Sequence, residues 1–349
     1  MNKKHALTTA IVVAVLGILV YFQFRTWTTF DWREFWRQTR GLNIGMLLSA
    51  VVLIYAVYLL RALRWKIFLN PTKKVSTQRL VSSQYIGFTG LALLGRPGEF
   101  VRPYLIALKE DLTFSSQLAV WAVERVFDMG TVALLLGVNL AIFGYKYKQF
   151  PQIEQGGITL LGGVSVIAVL VFAIWWKTER IAAVAEAILR PISKKFAETA
   201  RTKVTSFGDG LHTIADARSF FAVLALSAAI WLMIAGAYWQ VTHAYPATPE
   251  AMALHEMQFP DMLLVMAASM AGSIVQLPGV GGGSQLAVIG ILSSHVFDVP
   301  KELAVSCGIM LWLITFVSVT PMGLLLAHRE RISLREISAE SEHIEHIKQ

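Results

Sequence analysis

GRPGEFVRPY, residues 95–104, sets three charges, Arg96, Glu99 and Arg102, and two prolines directly after Ile86–Leu94, a run that otherwise reads as membrane core. Proline removes a backbone donor and glycine loosens a helix, so Pro97-Gly98 reads as a break point. Backbone groups freed at such a break must face protein or water, never lipid. The stretch therefore predicts an interrupted helix turned toward the interior of a helical bundle.

The rest of the chain has the composition of an integral membrane protein. Its 349 residues are 55% hydrophobic and 15% charged, with mean hydropathy +0.55, more apolar and less charged than a soluble domain. The net charge of +8 is not read as nucleic-acid binding, because the basic residues sit in loops between apolar runs, as the positive-inside rule expects. The one cysteine, Cys307, excludes an intramolecular disulfide and any multi-cysteine metal site. It lies in an apolar run, where it reads as a small hydrophobe. Residues 1–24 resemble a signal peptide, but the apolar run Ala6–Phe24 is long and lacks a small-x-small cleavage site, so it reads as a retained first span.

A crossing helix needs about 20 predominantly apolar residues. Six stretches qualify: Ala6–Phe24, Ile44–Leu60, Phe114–Phe143, Ile158–Trp176, Phe220–Tyr245 and Leu303–Ala327. With the N-terminus inside, the inner segments hold twenty Lys and Arg and the outer ones six, so both termini are expected in the cytoplasm of a cell-membrane protein. Two apolar segments remain, 80–108 through LLGRPG and 262–297 through QLPGVGGGSQ. Their halves are too short for full crossings and suit broken or re-entrant hairpins; paired kinked spans are the alternative. Each lies between two spans, and alternation makes them enter from opposite sides. The expected fold is thus an all-α, polytopic bundle of six spans and two broken hairpins in an inverted-topology repeat, a design whose broken elements build a site near the midplane.

The division that follows is 1–43 (first span and outer loop), 44–143 (repeat one), 144–219 (a span and a basic linker), 220–327 (repeat two) and 328–349 (cytoplasmic tail). Within the linker, Ile181, Val184, Ile188, Leu189, Ile192 and Phe196 recur at helical spacing. They fit either a helix lying on anionic lipid or a plain connection between halves. In the tail, His343 and His346 stand among glutamates as a weak metal pair; no metal site or cofactor is expected.

Charges inside a span cost at least about 2.5 to 3.5 kcal/mol each at the helix centre, so they face a partner or a cavity. VWAVERVFDMG puts Glu124, Arg125 and Asp128 in the third span, roughly 15 to 21 Å along the helix from Phe114. Glu124 and Asp128 share a face, and Arg125 reaches Asp128 at i, i+3. One reading is structural, with Arg125 neutralised by Asp128 or Glu99 and the network fixing packing. The other is functional: Arg96 and Arg102 flank the break with only Glu99 near in sequence, and a guanidinium fork suits phosphate or carboxylate. At the second break, Gly279, Gly281, Gly282 and Gly283 let backbone N–H groups converge, and a helix starting near Ser284 and Gln285 adds its positive end. Neither a Walker loop nor GxGxxG is present. Glycines that merely allow a tight turn explain the run equally well.

Enzyme signals are poor: there is no HExxH, no cysteine-histidine cluster and no DxD pair, and Glu99 with Glu124 is the one candidate acid-base pair. GRPGEFVR, then SSQLAVWAVERVFD, then LPGVGGGSQ, taken in order, resembles the lysylphosphatidylglycerol synthase transmembrane-region family, also called flippase-like membrane proteins. The resemblance implies a multi-pass helical fold that moves lipids. Fused members add a cytosolic domain that transfers an amino acid to a lipid; without it, this chain is expected not to make lysyl lipids. The motifs carry over Arg96, Pro97, Gly98, Glu99 and Arg102, then Glu124, Arg125 and Asp128, then Pro278, Gly279, Gly281 and Gly282. Gln285 stands where relatives often have an acid, which removes a proton-coupling carboxylate from that position. The expected partner is a membrane lipid with an anionic or polyprenyl-phosphate head. Homo-oligomer formation is left open. The alternatives are a membrane-embedded lipid-modifying enzyme and a membrane subunit or scaffold for a synthase.

Overall fold

The computed structural model describes residues 32–147, 151–191, 193–211, 216–273 and 282–330. Among them every regular element is helical. In chain order these are α1 (Trp32–Thr39), α2 (Ile44–Leu69), α3 (Thr77–Leu94), a 3-10 turn (Arg96–Phe100), α4 (Val101–Lys109), α5 (Phe114–Phe143), a 3-10 turn (Gly144–Tyr147), α6 (Pro151–Leu189) and α7 (Lys194–Leu211). There follow α8 (Ala217–His243), α9 (Met252–Glu256), α10 (Phe259–Gly272), α11 (Gly283–Leu292), α12 (Lys301–Trp312), a π-helical turn (Leu313–Val317) and α13 (Thr320–Arg329).

Among the described residues four rods are long and apolar enough to cross a membrane: α2, α5, α8 and the composite Lys301–Arg329, each of 26 to 30 residues. Three of them, α2, α5 and α8, start where a side chain satisfies an orphan amide. Asn43, Thr113 and Asp216 accept from the backbone N–H of Met46, Ser116 and Ser219, the N-cap arrangement that fixes where a helix begins. The chain is therefore a multi-pass helical membrane protein.

The rods differ from the expected spans at instructive places. The second span was expected to end at Leu60, but α2 runs on to Leu69 and carries Arg61 and Arg64 into the protein interior, 6% and 0% exposed. They need no water because carboxylates from α5 meet them there. Ile158–Trp176 falls inside α6, which bends at Lys177 (φ −141°, ψ 56°). The linker beyond is helical, 178–189 and α7, and leaves Val184, Ile188 and Phe196 exposed. Ala6–Phe24, Pro278, Gly279, Gly281, His343 and His346 lie outside the described residues.

Both interrupted segments fold back as helical hairpins. In the first, Gly87 of α3 lies against the Arg102 stem of α4, and Lys109 Nζ donates to Ser82 Oγ at 2.9 Å. The break is at Gly95, not at Pro97-Gly98. Gly95 holds φ 70°, ψ −147°, a region open to glycine alone, while Pro97 sits in the first turn of the next element, where its missing N–H is not needed. Gly98 packs so closely on the Gly90 carbonyl that a Cβ there would collide with it. In the second hairpin α10 and α11 close with Gly272 against the Gly283 carbonyl, and Gly282, φ 68°, ψ −139°, leads into α11 as its N-cap.

α2 and α8 pack together at the centre, Ala50, Ile54 and Tyr58 sharing a core with Ala235, Tyr238 and Val241. The first hairpin packs on α2 and α13, where Gly323 meets Thr89 and Tyr85. The second packs on α8 and α5. α4 lies on α5, and α11 on α12. Between membrane helices there is no bulk hydrophobic drive, so close contact through small residues of this kind supplies the attraction.

Candidate functional site

The buried charges gather where α2, the first hairpin, α5 and α8 meet. Along α5, one face presents Glu124 and Asp128, 0% and 1% exposed. Arg64, from the extension of α2, bridges the two carboxylates: its Nη2 donates to Glu124 Oε1 at 2.6 Å and its Nη1 to Asp128 Oδ1 at 2.7 Å. Nη1 also donates to Ser227 Oγ of α8 at 2.7 Å, and Trp231 Nε1 donates to Asp128 Oδ1 at 3.2 Å. One arginine thereby ties two carboxylates to a third helix.

Arg102 grips Glu124 from the other side. Nη2 donates to Oε2 at 2.5 Å and Nη1 to Oε1 at 3.1 Å, and Gln84 Oε1 accepts from Nη1 at 3.0 Å. The guanidinium lies over Trp65, 4.4 Å from the ring centroid, whose Nε1 donates to Gln117 Oε1 at 3.1 Å. Such a planar, two-pronged, stacked contact is what arginine provides and lysine does not. Arg61 is placed differently. It stands 3.6 Å from both Glu124 and Asp128, and its buried Nη1 has no hydrogen-bond partner among the described residues. Phe88 and Trp231 flank it, with centroids at 4.9 and 5.9 Å.

Beside the network lies a pocket with about 260 Å³ of space, its open mouth included. Its polar walls are Glu99, Arg102 and Arg125; Gly87, Phe88, Leu91 and Trp121 supply the rest. Arg125 reaches Asp128 Oδ2 at 2.9 Å, yet its side chain remains 32% exposed. Glu99 is held by Arg96 at 2.6 Å. Arg96 also donates to the carbonyl of Ser273 at 2.5 Å. Since Ser273 ends α10, this bond joins the break of the first hairpin to that of the second. Phe100 packs on Trp121 at the pocket's edge, ring centroids 5.6 Å apart.

Of the residues singled out from sequence, Arg96, Glu99, Arg102, Glu124, Arg125 and Asp128 are assembled in this one place. Arg102 is offset not by Glu99 but by Glu124, which 22 residues of sequence separation had hidden. Gly282, Gly283, Ser284 and Gln285 start α11, Ser284 and Gln285 buried, and none of them lines the pocket. Sequence reasoning missed Arg61, Arg64, Gln84, Ser227 and Trp231. For the two arginines a signal existed: in RALRWKIFL the apolar pattern resumes after them, which places them within a helix rather than beyond its end. Among the described residues no group of three or more His, Cys, Asp or Glu is arranged to hold a metal.

A family model described as the lysylphosphatidylglycerol synthase TM region matches residues 8–323. Over 97 residues the chain is 35% identical to Glycosyltransferase AglD of Haloferax volcanii, which covers 27% of this chain and 16% of that relative. The chain thus matches only a minor part of the relative's length. No solved structure matches it.

Proposed function

The chain belongs to the lysylphosphatidylglycerol synthase transmembrane-region family, and from that premise we propose that it is a flippase-like lipid transporter of the cell membrane. It moves a lipid with an anionic or phosphate-bearing head through a polar cavity between two inverted repeats. The observation that carries this reading is the pocket, which puts Arg102 and Arg125 beside Phe88, Leu91 and Trp121 at a helix break. Charged and apolar walls in one small space fit the junction of a lipid's head and its chain. Chemistry on the lipid is not part of this reading.

The inverted repeat draws support from three features. Span, hairpin and span follow one another twice. The second arms of both hairpins begin at glycines with nearly the same backbone, φ 70°, ψ −147° at Gly95 and φ 68°, ψ −139° at Gly282. Exchanging α2 with α8, the first hairpin with the second, and α5 with α12–α13 maps several packing pairs onto one another: the first hairpin on α13 corresponds to the second on α5, and α4 on α5 to α11 on α12. In this arrangement the two hairpin breaks meet through Arg96 and Ser273. Rocking one repeat against the other, with the hairpins as gates, exposes the pocket to either side in turn. Both termini lie in the cytoplasm, following the charge asymmetry of the loops.

The match to a named glycosyltransferase favours a second reading, a membrane subunit or scaffold that serves a lipid-linked transferase. Reconstitution separates the two. Purified protein in liposomes carrying a panel of anionic lipids is challenged with a membrane-impermeant head-group reagent. Transport makes the inner-leaflet pool react, whereas a scaffold leaves it protected; a new head group in mass spectra of the lipids would mark an enzyme.

A further inference from the structure

The arginines of the network outnumber its acids. Arg61, Arg64, Arg102 and Arg125 surround Glu124 and Asp128, and Glu99 is already held by Arg96. Arginine keeps its charge in any protein environment, so the group carries two positive charges beyond its acids. Three of the four arginines are at most 6% exposed. Withdrawing an unpaired ion from water costs several kcal/mol, so such an excess calls for an anion. The hydrogen bonding leans the same way: Arg61 Nη1, Arg64 Nε, Arg125 Nε and Gln84 Nε2 are buried donors without a hydrogen-bond partner among the described residues, against one acceptor of the network, Asp128 Oδ2, which has Arg125 and Arg61 as ion-pair neighbours at 2.9 and 3.6 Å. Thr89 and Thr131 hydroxyls are also unbonded, but a hydroxyl serves as either donor or acceptor.

The surplus decides what kind of head fits. A cationic or zwitterionic head needs a carboxylate for its amine, and Glu99, Glu124 and Asp128 each have an arginine already. A phosphodiester brings one negative charge and leaves one arginine uncompensated. A phosphate monoester brings nearly two at neutral pH, equal to the surplus, and offers three oxygens to fork donors. Phe88, Leu91 and Trp121 on the pocket wall suit the first carbons of a chain and not a free ion.

Resting on the transporter reading for the site, we infer that the pocket selects a lipid phosphate monoester, an alkyl or prenyl phosphate, by matching a dianionic head to the two-charge excess. Binding to the purified full chain in neutral detergent tests this, with Trp121 beside the site as a fluorescence reporter. The probes are dodecyl phosphate, its methyl diester, dodecylphosphocholine and inorganic phosphate. Dodecyl phosphate is expected to bind on the order of tenfold more tightly than the diester, the effect of one further partly buried charge contact, and more tightly than the other two. Arg125→Gln should bring monoester and diester together, and Arg125→Lys should restore the preference; melting curves establish that both variants are folded, and if the glutamine variant is not, the comparison of probes on the wild type decides. Equal binding of monoester and diester by the wild type overturns the inference, and so does inorganic phosphate binding as tightly as dodecyl phosphate, which assigns the site to a free ion. Monoester selectivity in a protein that moves no lipid would defeat the transporter reading and leave this one standing; lipid movement without monoester selectivity would do the reverse.

Discussion

Arg102 and Glu124 form a two-pronged ion pair, with contacts of 2.5 and 3.1 Å, between a helix that starts just after a break and the middle of a 30-residue rod. Glu124 accepts from Arg64 as well, at 2.6 Å, so one carboxylate holds the first hairpin, α5 and α2 in register.

Replacing Glu124 with Gln leaves two buried guanidinium groups short of their counter-charge. The loss of one partner from a buried pair costs about 3 to 5 kcal/mol. Unfolding of the purified variant, followed by circular dichroism during a denaturant or thermal ramp, should show a loss of that size. Arg102→Lys should lose less, keeping the charge but giving up the fork and the stacking on Trp65.

Arg125 is expected to behave differently. It is one-third exposed, and Asp128 keeps Arg64 and Trp231 as partners when it is removed. Arg125→Gln should cost no more than about 2 kcal/mol, between an exposed pair and a fully buried one, and the same unfolding experiment checks it.

Gly95 and Gly282 both sit in a backbone region that other residues enter only under strain. Alanine at either should cost about 1 to 3 kcal/mol. Gly98→Ala should be worse, because its Cβ points into the Gly90 carbonyl and backbone must move to admit it. Ranking the three variants by melting temperature tests whether the hairpins are built as described.

Cys307 is fully buried, so the unmodified chain should resist a membrane-impermeant maleimide. In a Cys307→Ser background, the exposed positions Lys195 and Glu250 report the two faces. Glu250→Cys should label in intact cells, and Lys195→Cys only in inverted vesicles or after permeabilisation. The opposite pattern would reverse the orientation drawn from the loop charges.

Much of this site is legible in the sequence because membrane burial makes charge conspicuous. Glu124 and Asp128 stand out in a rod with few other charges, and their spacing alone puts them on one face. The first break is legible from proline and glycine, although the glycine that turns the chain, Gly95, precedes the proline that marks it. What stayed hidden is pairing across helices. Arg61 and Arg64 look like the loop charges that follow a span, since a positive charge at the end of an apolar run has the same appearance whether it meets water or a carboxylate. Only the location of Glu124 and Asp128 in space distinguishes the two. Ser227 and Trp231 are ordinary residues of an apolar helix until Arg64 and Asp128 are brought to them.

The charges also distinguish the two halves. α8 and α12 carry no buried counterpart of Arg64 or Glu124, so the buried charge network is built by α2, the first hairpin and α5.

The most direct measurement is lipid movement by the wild type and by Arg125→Gln in sealed proteoliposomes, with a head group that an impermeant phosphatase or oxidant modifies only on the outside. The wild type should bring the inner-leaflet lipid within reach of the reagent, and the folded Arg125→Gln protein should leave it protected, as protein-free liposomes do. Equal movement by both proteins would contradict a pocket that works through Arg125, and movement by neither would contradict a transporter.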